Sequence, residues 1–240
     1  MIAPAKAGQT GGEPDWGVAT PAIARLLMVA ATAIVGSVCA AAGVLGWIVG
    51  GPGFGAGAAG ATIGAVAGAL ALQRSRLLAA TGARAVAEGN APRLLNLVEG
   101  LAATHGMARP RVFIFDRPDP NAFVWGGRRP VVALSHGAVS DFTRTEIEAV
   151  VAHCLTRLRF ATVRGLPVAI LLGRLAAPAG PLVGLADDVA AAAVTRYPPA
   201  LRSALAKCSP AQGPHAPAFF AADSWSHRPT PERIRALDDL

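Results

Sequence analysis

Residues Thr143–Phe160, TRTEIEAVVAHCLTRLRF, decide the fold class. Ile147, Val150, Val151, Cys154, Leu155 and Leu158 recur at helical spacing, a stripe that predicts one face turned into a core. Thr143 and Glu146 stand three apart as an S/T-x-x-E capping box, which predicts where this helix opens. Upstream, RVFIF (Arg111–Phe115) predicts a strand. NAFVW (Asn121–Trp125) and VVALS (Val131–Ser135) flank Gly126-Gly127-Arg128-Arg129-Pro130 and predict a hairpin. The segment SHGAVSDF (Ser135–Phe142) then reads as a turn leading to Thr143. Further back, Leu77–Gly106 reads as helical segments broken near Gly89-Asn90-Ala91-Pro92, with Leu94, Leu97, Val98 and Leu101 at helical spacing and Gly106 as the stop. Helices, a strand hairpin and a capped amphipathic helix in that order predict an α+β domain.

The remainder of the chain is too apolar for an ordinary soluble domain. Of 240 residues, 52% are hydrophobic and 15% charged, and the mean hydropathy is +0.43. LLMVAATAIVGSVCAAAGVLGWIV (Leu26–Val49) carries no charge and is long enough to span a bilayer. After the breaker Gly50-Gly51-Pro52-Gly53, a second uncharged run extends from Phe54 to Leu72. In it Gly60, Gly64 and Gly68 place small residues on one helix face, where another helix can approach closely. A cleaved leader fits the first run poorly, because the run is too long and begins too far along the chain. Arg25 precedes the pair of spans, Arg74, Arg76 and Arg84 follow it, and the connecting turn is uncharged. Both flanks are therefore expected on the cytoplasmic side of the cell membrane. Residues 1–22 read as a disordered tail and 23–73 as a transmembrane helical hairpin. The net charge of +7 suits anionic lipid headgroups, and no basic recognition helix or aromatic-basic stripe points to nucleic acid. Cys39, Cys154 and Cys208 are odd in number and far apart, which argues against a disulfide framework or a zinc knuckle.

Downstream of Phe160, the stretch from Val163 to Asp188 reads as a broken helical connection that touches the membrane surface, not as a third span. DDVAAAAVTRY (Asp187–Tyr197) predicts a helix stopping before Pro198-Pro199, and ALRSALAKC (Ala200–Cys208) predicts another. The loop Ser209–Pro229 leads to TPERIRALDDL, with Thr230 expected as N-cap and Pro231 in the first helical turn.

Five collinear stretches carry a family resemblance: PRLLNLVEGLA (92–102), RPRVFIFDRPDPNAFVWG (109–126), RTEIEAVVAH (144–153), ADDVAAAAVTRYPPALRSALAK (186–207) and SHRPTPERIRAL (226–237). In this order they resemble the HtpX and CAAX-prenyl-endopeptidase group of membrane zinc metallopeptidases, gluzincins with an H-E-x-x-H helix. The resemblance implies a metallopeptidase-like domain over residues 77–240, with two N-terminal transmembrane helices before it. It also implies what the site should hold: two histidines at i and i+4, a glutamate general base between them, and a glutamate ligand from a later helix, with zinc as cofactor.

Carried over residue by residue, that pattern is largely gone. His153 matches the first ligand. Cys154 stands at the general base and Arg157 at the second histidine. Asp188 falls on the family aspartate, with Asp187 beside it, and the third ligand falls on Gly184; the alternative register moves it to Val183. A guanidinium repels a dication and has no lone pair to offer. No catalytic residue and no bound cofactor are expected, His153 being the one ligand that remains against a reading as a leftover polar residue. Cys154, on the apolar stripe, reads as a buried thiol; as a nucleophile it would need an adjacent base, and His153 points about 100° away around the helix. Asp187 and Asp188 read either as solvated helix-end acids or as partners of Arg157, an organic staple in place of the metal. His105, His136, His215 and His227 lie on predicted turns and loops without ligand spacing. In active relatives a strand like VVALS edges the cleft and takes up substrate backbone as an added strand. Asn121, Ala122, Phe123, Val131, Val132 and Ala133 are accordingly expected at a peptide-binding edge, with an ordinary edge strand as the plainer reading.

The sequence thus points to a membrane-anchored, cytoplasm-facing pseudopeptidase that binds or regulates extended peptides or a membrane protease partner. A zinc metalloendopeptidase with non-standard ligands and a purely structural membrane protein are the alternatives.

Overall fold

Two long apolar helices precede everything else. The computed structural model describes residues 16–159, 166–167, 170, 180–224 and 227–240, with the backbone path alone for 16–28, 30–32 and 180–186. Helix α1 (Trp16–Gly50) and helix α2 (Pro52–Ala80) are joined at Gly51, whose φ of +80° suits a residue without a Cβ. Both are long and apolar enough to cross a membrane. Only 11% of Ala33–Gly50 and 6% of the most apolar part of Pro52–Ala80 is buried, whereas the core helix of a soluble domain would be mostly covered. Because α1 already runs from Trp16, the tail expected over 1–22 loses residues 16–22 to helix; residues 1–15 lie outside the described set.

The two helices meet through small residues near their turn. A Cβ on Gly46 would stand 3.0 Å from Ala58 Cβ, and one on Gly55 would stand 2.7 Å from the Gly43 carbonyl oxygen. The stripe Gly60, Gly64 and Gly68 does not make this contact: nothing lies within 4 Å of a Cβ at any of the three. The contact at Gly55 and Ala59 turns the face one residue further round away from α1.

Past the uncharged run, the last turns of α2 dock on the domain, Leu77 being only 1% exposed in its core. A short strand β1 (Arg84–Ala85), which the sequence did not announce, follows; then come helix α3 (Pro92–Thr104) and strands β2 (Arg111–Phe115), β3 (Ala122–Trp125) and β4 (Val131–Ser135). The sheet order is β1-β2-β4-β3, with β1 antiparallel to β2, β2 parallel to β4, and β3 antiparallel to β4 as the hairpin reading required. The predicted turn after Ser135 is instead a short helix, α4 (His136–Asp141), capped by the Ser135 hydroxyl, which accepts from Ala138 N at 3.0 Å.

Helix α5 (Arg144–Arg159) opens on the expected box: Thr143 N donates to Glu146 Oε2 at 2.7 Å, and Glu146 N donates to Thr143 Oγ1 at 3.3 Å. It packs across the sheet and against α6 (Gly180–Thr195) and α7 (Pro198–Lys207). The final helix α8 (Thr230–Asp238) packs on α6 and α7. Pro229, not Thr230, is its N-cap, its φ of −51° and ψ of 137° setting the entry, while Pro231 sits in the first turn as anticipated. Most of the connection read between Val163 and Asp188, and with it any touch on a membrane surface, lies outside the described residues. Helices on a small mixed sheet make the domain α+β.

Candidate functional site

Helix α5 sets out its polar side chains by simple periodicity. His153 and Arg157, four apart, share one face and look toward α6, α8 and the segment Pro217–Phe220. Cys154 turns the other way into the hydrophobic core, where it is 2% exposed. Burial pushes its thiol up to about 12, so it carries no thiolate at neutral pH.

The His153–Arg157 face meets two carboxylates and a second guanidinium, all buried. His153 Nδ1 stands 3.0 Å from Asp188 Oδ1, outside hydrogen-bond alignment and an ion pair only when the imidazole is protonated. Asp188 is gripped in bidentate fashion by Arg233 of α8, which donates from Nε to Oδ2 at 2.6 Å and from Nη2 to Oδ1 at 2.7 Å. Arg233 Nη1 donates to the Phe220 carbonyl at 2.6 Å, and its guanidinium lies 5.3 Å from the Phe220 ring centre. The same ring packs edge-on against His153 at 5.0 Å. Arg157 Nε lies 3.5 Å from Asp187 Oδ2. Its other nitrogens donate to the carbonyls of Pro217 at 2.9 Å, Phe219 at 3.1 Å and Ala218 at 3.4 Å. Gly184 lies one turn before Asp188 on α6 and brings no side chain.

Burial and charge pull these groups in different directions. Burial tends to raise Asp188, but the charge and hydrogen bonds of Arg233 outweigh it and hold the carboxyl well below its ordinary value. Asp187 has only the longer Arg157 contact, so burial wins and pushes it up to about 7. His153 is held down at about 4, chiefly by burial, against the opposing pull of Asp188. His227, also buried, is pushed well below its usual value by burial and by the charges of Arg157 and Arg233. Its Nδ1 lies 3.3 Å from Ser224 Oγ. His105, His136 and His215 are not part of this cluster: His215 Nε2 is 3.1 Å from Gln73 Oε1 on α2, and His136 opens α4.

A three-ligand zinc site with a carboxylate base does not fit these residues. Among the described residues no three of His, Cys, Asp and Glu converge as a metal would require. The carboxylates nearest His153 are engaged by guanidiniums, and Arg157, at the position the resemblance gives to the second histidine, is a permanent cation with no lone pair to offer.

The expected peptide-binding edge needs correction. Val131, Val132 and Ala133 belong to β4, an interior strand between β2 and β3, and are fully buried. The edge beside α5 is β3, and the chain itself occupies it. Phe220 N donates to the Ala122 carbonyl at 2.8 Å, and Phe123 bridges Phe219 antiparallel. Asn121 clamps the same segment: Nδ2 donates to Ser209 O and Ala221 O, both at 2.9 Å, while Oδ1 accepts from Ala221 N at 3.2 Å. Phe115, Phe123 and Phe219 stack beneath, with ring centres 5.2–5.9 Å apart. A segment of the chain does add to this edge: Phe219 and Phe220 pair with it, and Ala221 is held by the Asn121 side chain.

Sequence reasoning missed Arg233, although a signal was present. Arg233 and Leu237 stand four apart on α8, so a cation occupies a position on that helix's buried face. No local signal could have shown that the loop around Phe219 returns to β3.

Comparison with known proteins gives these positions a context. Residues 88–156 match the family model of peptidase family M48, a match that ends one residue before Arg157. A protease HtpX homolog from Tropheryma whipplei (strain Twist) is 31% identical over 222 residues, covering 67% of this chain and 76% of that protein. Protease HtpX homologs from Dictyoglomus turgidum and Streptococcus thermophilus are 40% identical over 75 residues and 36% identical over 98 residues. Those matches cover 30% and 40% of this chain, and 25% and 33% of the relatives.

Proposed function

This chain belongs to the HtpX-like M48 peptidase family, and from that premise we propose that it is a membrane-anchored member that has given up hydrolysis. The observation that carries the reading is the buried set His153, Arg157, Asp187, Asp188 and Arg233, in which a guanidinium stands at the position expected for the second histidine ligand and both carboxylates face guanidiniums. Hydrolysis of a peptide bond needs a polarising centre and a base for water. At the position of the base stands Cys154, a protonated thiol facing the core. Arg157 joins α5 to α6 and to the 217–219 carbonyls, and Arg233 joins α8 to α6, so the cations serve as staples between elements.

Two apolar helices support a multi-pass membrane anchor, and the arginines flanking them support a domain on the cytoplasmic side. There the chain acts as a regulatory partner of a membrane protease. The β3 edge is closed by the chain's own residues 219–221, which speaks against capture of extended peptides at that edge in this state.

One observation favours the runner-up, a zinc metalloendopeptidase with unorthodox ligands: His153 Nε2 is buried without a hydrogen-bond partner among the described residues. Metal analysis of the full chain purified in detergent, with a peptide-cleavage assay, separates the two. The expected result is substoichiometric zinc and no chelator-sensitive cleavage. One zinc per chain surviving dialysis, with cleavage abolished by chelator, would overturn the pseudopeptidase reading.

A further inference from the structure

The start of β2 and the β3–β4 turn share one end of the sheet: Arg111 pairs with Val131, and Arg111 N donates to the Pro130 carbonyl at 2.9 Å. Arg129 therefore lies beside Arg111. Both are the charged neighbours of Arg74 on α2. Arg74 follows the last residue of the uncharged run, Leu72, by two positions, and Leu77, one turn later, is locked in the domain core. The end of the sheet bearing Arg111, Arg128 and Arg129 is thereby held at the level where α2 leaves its apolar stretch.

These cations contrast with the others nearby. Arg109 is paired with Glu88 and Glu99, and Arg117 lies 3.6 Å from Asp119. Among the described residues, no carboxylate pairs with Arg74, Arg111, Arg128 or Arg129. Arg111, Arg128 and Arg129 are exposed, and Arg74 is half-buried. Like charges brought together without a counter-ion repel, and planar guanidiniums match a phosphate group in two-pronged geometry.

We propose that Arg74, Arg111 and Arg129, with Arg128 beside them, bind the phosphate of an anionic phospholipid headgroup and seat the β3–β4 turn on the bilayer. The proposal rests on the reading of α1 and α2 as membrane spans. It assigns the turn a ligand that neither the peptidase resemblance nor the buried cluster requires.

The test uses the full chain in nanodiscs of phosphatidylcholine alone or with about 30% phosphatidylglycerol, read by hydrogen exchange over residues 126–131. Phosphatidylglycerol should slow exchange in that turn about fivefold or more, and about 0.5 M salt should reverse the effect. The variant R111Q/R129Q should lose the protection while keeping the wild-type exchange pattern across α5. Arg74→Gln alone, which leaves the sheet untouched, should weaken it. Equal exchange with and without phosphatidylglycerol would overturn the site. Protection by inorganic phosphate in neutral nanodiscs, without added effect from phosphatidylglycerol, would overturn the lipid as its ligand. If the chain fails to enter neutral nanodiscs at all, the membrane-span reading falls instead.

Discussion

At the N-terminal end of α5, Glu146 is 3% exposed and every contact it needs is present: Ser203 Oγ at 2.6 Å on one oxygen, Thr143 N at 2.7 Å and Lys207 Nζ at 2.8 Å on the other. Two turns further along the same helix, the cluster around His153 and Arg157 balances charge without completing its hydrogen bonds. Among the described residues, His153 Nε2, Thr156 Oγ1 and Asp187 Oδ1 are all buried with no hydrogen-bond partner. A helix cap has one task, and its partners are local or on one neighbouring helix. The cluster instead draws on α5, α6, α8 and the 217–220 segment, and guanidiniums with fixed planes do not reach every buried polar atom there. The difference separates a closed local cap from a buried cluster assembled by distant parts of the chain.

Breaking the cluster should therefore cost more than breaking the cap. Asp188→Asn leaves Arg233 buried without its counter-charge, and the loss of one partner from a buried pair costs about 3–5 kcal/mol. Thermal unfolding of the full chain in detergent should show the largest drop for this variant. A drop smaller than that of a Glu146 variant would break the comparison outright.

Arg157→Met comes next. It removes a charged donor from three carbonyls, an effect of about 1.5–3 kcal/mol for hydrogen bonds to charged groups. Asp187 limits the damage, because burial already favours its protonated form. Hydrogen exchange should speed up over residues 217–222 more than anywhere else in the domain. Unchanged exchange there would mean that the β3 edge and Asn121 hold the segment unaided.

The pH dependence sharpens the contrast in sign. Asp187 is raised when folded, from 3.8 to about 7, so the folded state holds its proton more tightly. Its contribution to stability is full below about pH 4 and is lost as pH rises through about 7. His153 is lowered from 6.5 to about 4, so its contribution is present above about 6.5 and lost as pH falls through about 4. Asp187→Asn should thus gain on the wild type between pH 5 and pH 8, on the order of 1 kcal/mol or more. A wild-type to variant gap independent of pH would show that Asp187 is ionised throughout.

The α+β domain and its hairpin were legible because they rest on local chemistry: the Thr143–Glu146 box, the apolar stripe of α5, the breaker between β3 and β4. Strand β1 was not, since two exposed residues leave no periodic trace. At the site, the positions His153, Arg157, Asp187 and Asp188 could be marked in advance because the family resemblance, carried over residue by residue, fell on them. Which cation takes which carboxylate could not be read. Asp188 goes to Arg233, from a helix far along the chain, and Arg157 is left with Asp187 at longer range. The edge failed for the same reason: pattern identifies β4 as a strand, but its place inside the sheet depends on the parallel partner β2.

The smallest effect belongs to the cap. Glu146→Gln keeps the shape and an acceptor for the Thr143 amide but loses the charge that draws Lys207 and Ser203, a cost of about 1 kcal/mol. Lys207 is 38% exposed, so solvent already screens part of that pair. Burial works to raise the Glu146 carboxyl, yet hydrogen bonds from Lys207, Ser203 and Thr143 prevail and bring it from 4.5 down to about 2. Its contribution is therefore present above about pH 4.5 and lost as pH falls toward 2. Unfolding midpoints of wild type and variant should differ at pH 7 and draw together as pH approaches 3. A gap that stays constant over that range would mean the carboxylate acts through shape alone, and the closed cap would lose the electrostatic part that distinguishes it from the cluster.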